Sequence, residues 1–392
     1  MNRTPADFFR RYFTVKIFII TAVLLLAACS SASDTPTPAQ PTTVANAPAG
    51  TVNSISFPFG VGAQKDFWQV YFTAPSGSRD ESTYVGGIDT ALATAIRNTQ
   101  STLDIAAFEF NNPVLTEAVL DAAERGVQVR IVTDDDHGLH DEHSTIRQFI
   151  QAGIPVVDDD RSGLMHNKFM IMDGSTVWMG SWNYTINGTY RNNNNALALR
   201  SRRAVENYQA EFDEMFNEHR FGSTSPQNTP NPRFTQDGVP IEVYFASEDE
   251  VAEAIINHIN QAESSIRFMA FSFTLDAIRD AILARAADGV EVQGIFETTG
   301  SQTRFSELTP FFCNGLPMRQ DGGPFILHHK VFIIDDDTVL TGSFNFSRSA
   351  TQSNDENMIV IQDADLAAQY LAEFDRRWNE GRLPDPEKLT CS

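Results

Sequence analysis

Two stretches of this chain carry the same reactive side chains at the same spacing. Met165 to Asn183 reads MHNKFMIMDGSTVWMGSWN, and Leu327 to Asn345 reads LHHKVFIIDDDTVLTGSFN. Each has a His, a Lys two residues on, an Asp five after the Lys, and Gly-Ser-x-Asn at one fixed distance. The first set is His166, Lys168, Asp173, Gly180, Ser181 and Asn183; the second is His328, Lys330, Asp335, Gly342, Ser343 and Asn345. Residues i and i+2 of a strand share a side. His166 and Lys168 therefore project together while Asn167 points away, and the same rule selects His328 over His329. Lys offers a compact positive charge and Asn offers amide donors, which suits a phosphate. Gly lets the backbone approach closely, and Ser adds a polar group. Two copies related by a pseudo-twofold would set two imidazoles, two ammonium groups and two amides around one phosphorus. Such a ring can neutralise a phosphodiester transition state without a metal.

The elements that position these groups follow from periodicity. In the first half, strands are expected at Leu103 to Phe110, Val127 to Thr133, Lys168 to Met172, Thr176 to Met179 and Ala196 to Leu199. Helices are expected at Val114 to Arg125, ended by Gly126, at Ile146 to Ala152, and at Ala204 to His219. The order then repeats: helix Val251 to Ala262, strand Ile266 to Phe273, helix Leu275 to Asp288, strand Val290 to Phe296, the second motif, strand Met358 to Ile361 and helix Ala364 to Asn379. Phe108-Glu109-Phe110 corresponds to Phe271-Ser272-Phe273, and Glu211-Phe212 to Glu373-Phe374. A repeat of this length is a duplicated domain. Alternating strands and helices predict an α/β architecture with helices covering a mixed, mostly parallel sheet.

The 392 residues leave room for two such domains. The net charge of −22 repels polyanions and weighs against a broad nucleic-acid groove. Arg10, Arg11 and Lys16 precede an apolar run from Ile17 to Ala28 that is short for a bilayer span and suits a signal-peptide core. It ends in Leu26-Ala27-Ala28-Cys29, which resembles the lipobox of bacterial lipoproteins, with Cys29 acylated. The expected division is 1–28 signal peptide, 29–66 flexible tether and lead-in, 67–222 first domain, 223–238 linker, 239–383 second domain and 384–392 tail. Cys313 and Cys391 pair or stay free; their spacing leaves both open. No Cys/His cluster points to zinc. The runs Asp134 to Asp136, Asp158 to Asp160 and Asp335 to Asp337 lack a calcium-loop spacing and read as solvated strand ends. His137, His140 and His143 read as a polar loop beside the site, and Phe57, Phe59, Phe67, Trp68 and Tyr71 as core packing.

The twin motif resembles the signature of the phospholipase D superfamily, His-x-Lys-x4-Asp-x6-Gly-Ser-x-Asn, and both copies match it at every fixed position. The resemblance covers roughly Phe67 to Arg382. It implies two tandem α-β-α sandwich domains, pseudo-twofold related, with one shared active site holding His166, Lys168, Asp173, His328, Lys330 and Asp335. Ser181, Asn183, Ser343 and Asn345 would support the phosphate. It further implies that one His attacks phosphorus and the other protonates the leaving alcohol and then activates water. By the family's usual order His166 is the nucleophile and His328 the acid/base, although the spacing does not order them. Asp173 and Asp335 are expected to organise their turns. The family often has a Glu about eleven residues after the motif Asn, orienting the His. The second copy has Glu356 there and the first has Asn194, which makes His328 the expected beneficiary of the carboxylate. The resulting expectation is an exported, lipid-anchored, monomeric hydrolase of glycerophospholipids, with no cofactor. Alternatives are a nuclease, which alone would take a nucleic-acid partner, a transphosphatidylating enzyme like cardiolipin synthase, and an inactive phosphate-binding lipoprotein.

Overall fold

Phe169, Ile171, Val177, Met179 and Leu197 face one side of their strands, and Met170, Met172, Trp178 and Ala196 face the other; all are buried. A sheet apolar on both faces needs cover on both. The computed structural model describes residues 50–391 and supplies that cover twice. The first half contains β1 (Asn53–Phe57), β2 (Gly60–Lys65), β3 (Trp68–Thr73), α1 (Ile88–Asn98), β4 (Thr102–Ala107), α2 (Pro113–Glu124), β5 (Gln128–Thr133), α3 (Ile146–Gln151), β6 (Val156–Asp158), β7 (Lys168–Met172), β8 (Thr176–Gly180), α4 (Ile186–Tyr190), β9 (Asn195–Leu199) and α5 (Arg202–Glu218). The second contains β10 (Arg233–Gln236), β11 (Val239–Ala246), α6 (Val251–Gln261), β12 (Ser265–Ala270), α7 (Asp276–Ala287), β13 (Glu291–Phe296), α8 (Leu308–Cys313), β14 (Met318–Gln320), β15 (Lys330–Ile334), β16 (Thr338–Gly342), α9 (Arg348–Gln352), β17 (Glu356–Gln362) and α10 (Ala364–Glu380).

The sheets run β1-β2-β3-β9-β8-β7-β4-β5-β6 and β10-β11-β17-β16-β15-β12-β13-β14. From β3 and from β11 onward the two orders correspond strand for strand. The architecture is mixed α/β, as expected, but it is not mostly parallel. Only β4-β5-β6 and β12-β13-β14 pair in parallel. Helical crossovers join those strands, whereas β7 and β8, or β15 and β16, are joined by tight turns that force antiparallel pairing.

The outer faces are covered by α1, α2 and α3 in one half and by α6, α7 and α8 in the other. The inner faces meet in one hydrophobic cluster that takes residues from both halves, including Phe72, Phe169, Tyr208, Phe245, Val331 and Tyr370. Phe245 of β11 meets Tyr208 of α5 edge-on at 5.1 Å, and Phe72 of β3 meets Tyr370 of α10 edge-on at 5.0 Å. Each closing helix thus lies between its own sheet and the other's. The repeats are two halves of one body.

Three expected boundaries change. The ordered body begins before Phe67, because β1 and β2 extend the first sheet by antiparallel hairpins. The polar run 223–238 contains β10, and Asn231 is held to Asn207 of α5 on both sides of its backbone. The tail past residue 383 is tied down, with Leu389 buried and Cys391 joined to Cys313 as a disulfide. Asp134 and Asp159 are buried and hydrogen-bonded rather than solvated strand ends. Cys29 and the expected signal peptide lie outside the described residues, and so does most of the tether. No described helix is long and apolar enough to cross a membrane.

Candidate active site

The segment before each motif strand crosses to the other half. His166 N–H donates to the Asp355 carbonyl (3.0 Å), and His328 N–H donates to the Asn193 carbonyl (2.9 Å). These bridges bring the leading ends of β7 and β15 together, so both His–Lys pairs arrive at one place. His166, Lys168, His328 and Lys330 are all at least nine-tenths buried. Asn167 and His329 point the opposite way, into the seam between the halves, as the strand rule requires. Asn167 donates to Glu211 (2.9 Å) and accepts from Asn357 (2.7 Å), while His329 lies against Glu373 (3.2 Å) and Asn195 (3.1 Å).

The supports of the two imidazoles are exchanged between halves. Glu356, downstream of the second motif, sits 2.7 Å from His166 Nδ1 of the first. Asn194, downstream of the first motif, places Oδ1 2.9 Å from His328 Nδ1, and the Ser181 carbonyl lies 3.0 Å from the same atom. The expectation that Glu356 serves His328 is therefore overturned. The swap follows from the crossing backbone: the strand carrying Glu356 begins where Met165 bridges to Asp355. Ser343 Oγ donates to Glu356 (2.7 Å) and Ser181 Oγ donates to Asn194 (3.0 Å), so each motif Ser fixes the support that its own half exports. Gly180 and Gly342 allow this: a Cβ there would fall 2.4 Å from the Asn195 carbonyl and 2.2 Å from the Asn357 carbonyl.

These partners assign the tautomers. Every group facing His166 Nδ1 and His328 Nδ1 is an acceptor, and Asn194 is oriented by its own amide donating to the Gly188 carbonyl (2.9 Å). Both rings therefore donate through Nδ1 and keep the Nε2 lone pair free. Burial, reinforced by Lys168 and Lys330, holds both imidazoles well below their usual pKa, so both are neutral near pH 7. Burial also lowers Lys168 to about 7, against the pull of Glu356 and Glu109, and pushes Lys330 well down. Burial raises Glu356 to about 7, opposed by Lys168. Each lysine lies 4.6 Å over an aromatic ring, Phe108 for Lys168 and Phe271 for Lys330. The same rings meet the imidazoles edge-on at 4.7 and 4.8 Å.

Asp173 and Asp335 are not among the gathered groups, although the motif placed them with the catalytic set. They stand at the far ends of β7 and β15, about 16 Å from the lysines at ~3.3 Å per residue. Asp173 accepts from the backbone of Gln100, Ser101 and Thr102 and from Ser101 Oγ; Asp335 accepts from Glu263, Ser264 and Ser265 and from Ser264 Oγ. Each clamps the start of a central strand.

The halves differ at the rim. Asn183 Nδ2 donates to Glu109 (2.7 Å), whose carboxyl is raised by burial and opposed by Lys168. The matching residue of the second half is Ser272, which carries no charge; the Oδ1 atoms of Asn183 and Asn345 are both buried without a partner. Glu109, Phe108 and Phe271 escaped the sequence reading. The Glu-for-Ser difference between otherwise matching Phe-x-Phe triplets was the available signal. His137 lies at the same rim, stacked on Phe108 at 4.6 Å.

A family model described as "Cardiolipin synthase, PLD-like domain" matches residues 92–216 and again 255–378. The chain is 39% identical over 120 residues to a mitochondrial cardiolipin hydrolase of Xenopus tropicalis, covering 31% of this chain and 57% of that protein. It is 31% identical over 159 residues to a phospholipase D of Rickettsia bellii, covering 40% of this chain and 79% of that one. The match to the cardiolipin hydrolase thus spans little more than half of that relative. The fold resembles the crystal structure of phosphatidylserine synthase from Haemophilus influenzae, with a TM-score of 0.57 at 15% identity over 75% of this chain and 83% of that one.

Proposed function

The chain belongs to the phospholipase D-like family, and we propose that it is a phosphodiesterase of that type, hydrolysing glycerophospholipids to phosphatidate and a head-group alcohol. One observation carries the reading: two neutral imidazoles at one spot, each tied down at Nδ1 and free at Nε2, between two buried lysines. In the proposed reaction His166 Nε2 bonds to phosphorus as the phosphorus–oxygen bond to the head group breaks. His328, which takes up a proton as the anionic substrate enters, gives its Nε2 proton to the departing alkoxide. His328 then takes a proton from water, whose oxygen attacks phosphorus, and the phosphorus–nitrogen electron pair returns to His166. Lys168 and Lys330 balance the charge on the non-bridging oxygens, which draws their protons back as the anion enters. Placing Glu356 on His166 supports this order, because a carboxylate at Nδ1 makes Nε2 the better nucleophile and stabilises the phosphoimidazolium.

The substrate is tested by offering phosphatidylcholine, phosphatidylethanolamine and cardiolipin vesicles in parallel with single-stranded and plasmid DNA. Head-group release with intact DNA is expected; cut DNA with inert lipid would overturn the lipid reading in favour of a nuclease. Phosphatidyl transfer to added glycerol would identify a transferase instead. His166→Ala and His328→Ala should each lose at least about 100-fold in kcat, and only His328→Ala should retain an acid-labile phosphoenzyme. Membrane attachment through Cys29 is part of the proposal, and palmitate labelling that persists in Cys29→Ser would refute it.

A further inference from the structure

The two closing helices carry the same acidic residue with opposite surroundings. Glu373 of α10 is met by His329 (3.2 Å), Arg376 (2.7 Å) and Arg377 (3.2 Å). Its charge is balanced inside the protein, and its carboxyl is held below the usual range despite full burial, chiefly by the His329 hydrogen bond and Arg377. In α5 the matching positions read Glu211, Glu214 and Met215. Both arginines are gone and a second acid takes the place of one. Glu248, from the loop after β11, adds a third from the other half. Oxygens of Glu211, Glu214 and Glu248 all lie within 4.8 Å of one another.

Glu211 and Glu214 are each only 3% exposed. Glu214 Oε1 and Glu248 Oε2 are buried and have no hydrogen-bond partner. Arg220, the arginine nearest Glu214 in sequence, makes its ion pair with Glu218 (3.2 Å) and acts on Glu214 only through space. Glu211 keeps one oxygen on Asn167, and Asn228 donates to the other oxygen of Glu214 at 3.3 Å. A buried carboxylate without a counter-charge is costly, and two of these are three residues apart on one helical face. A second acidic cluster, Asp134, Asp135 and Asp159, also has a buried oxygen without a hydrogen-bond partner, Asp159 Oδ2, but it has basic residues beside it: His137 faces Asp134 and Arg161 faces Asp159.

We propose that Glu211, Glu214 and Glu248 bind one calcium ion, which takes the place that Arg376 and Arg377 fill in the other repeat. The donor set is all oxygen and rich in carboxylate, the preference of a hard divalent cation. Two oxygens on one calcium stand at most about 4.8 Å apart, twice a metal–oxygen distance of roughly 2.4 Å. The site joins α5 of one half to the loop of the other, so the ion acts as a staple across the seam. It stands behind Asn167, on the side of β7 away from the phosphate groups.

The test uses the full chain, stripped with chelator and dialysed. Calorimetric titration with calcium chloride should show one equivalent bound, and the melting temperature should rise with calcium. Glu248→Gln should weaken that binding at least tenfold. Glu214→Arg, which copies Arg376, should abolish it and melt without calcium closer to the calcium-loaded wild type. If wild type binds no calcium the proposal fails, and a higher melting temperature of Glu248→Gln would then show that the acids share protons. It also fails if calcium binds but Glu248→Gln weakens it less than tenfold, which marks scattered binding to the acidic surface. Head-group release is not a readout, so the outcome is independent of the substrate assignment.

Discussion

Replacing Glu356 by Gln tests the exchanged support directly. The side chain keeps its size, but its single acceptor oxygen can face His166 and Ser343 or else Asn354, not all three, and the charge opposite His166 Nδ1 is lost. Hydrogen bonds to charged groups contribute about 1.5–3 kcal/mol, so kcat/KM should fall roughly tenfold to 150-fold. Asn194→Ala removes a neutral acceptor, about 0.5–1.5 kcal/mol or roughly two- to tenfold, and leaves the Ser181 carbonyl to hold His328. The assay pairs steady-state head-group release with rapid quenching of the phosphoenzyme. A p-nitrophenyl ester whose leaving group needs no proton separates the steps. With it, Glu356→Gln should slow phosphoenzyme formation, and Asn194→Ala should slow only its breakdown. Formation at the wild-type rate in Glu356→Gln, or a larger loss from Asn194→Ala than from Glu356→Gln, would refute the reasoning.

Three further outcomes follow from the same structure. Asp173→Asn and Asp335→Asn should lower stability yet keep kcat in the folded fraction, because both residues clamp strands away from the phosphate. Their folded pKa values lie below 3.8, with hydrogen bonds outweighing burial; their contribution is present above pH ~3.8 and lost as pH falls through the folded values, measurable as urea midpoints at pH 5 and 3. Inorganic phosphate binding near pH 7 should take up protons, since Lys168 and the imidazoles titrate low until an anion arrives; a binding enthalpy independent of the buffer's ionisation heat would contradict this. Alkylation without reductant should leave Cys313 and Cys391 unlabelled, and reduction should cost about 2–4 kcal/mol in a denaturant melt, whereas full labelling would show free thiols.

Local chemistry made most elements readable. Lys168 to Met172 was placed residue for residue, because unbroken apolar character ends at a turn signal, Asp173-Gly174. The side of the strand on which His166 lies, and the choice of His328 over His329, needed only the period of two. What escaped reading was long-range. Chain proximity assigned Glu356 to the His of its own repeat, and no periodicity records that two segments cross. The antiparallel majority of ladders was hidden because β7 and β15 are buried on both faces and so look like parallel strands. Arg233 to Gln236 was lost inside a polar run because an edge strand can face solvent on alternate residues. Glu109 could have been found by asking why one repeat carries an acid where the other carries Ser272.

The crossed supports also bear on symmetry. In a symmetric dimer of single repeats, the residue opposite each imidazole is one residue counted twice, so both rings must receive the same partner. A chain holding both repeats in tandem escapes that restriction, since positions 194 and 356 can be chosen separately. Here one is an amide and the other a carboxylate. Covalent linkage has therefore given the site a direction: a substrate entering it meets two imidazoles of the same tautomer but different basicity, and its scissile bond has a preferred way to lie.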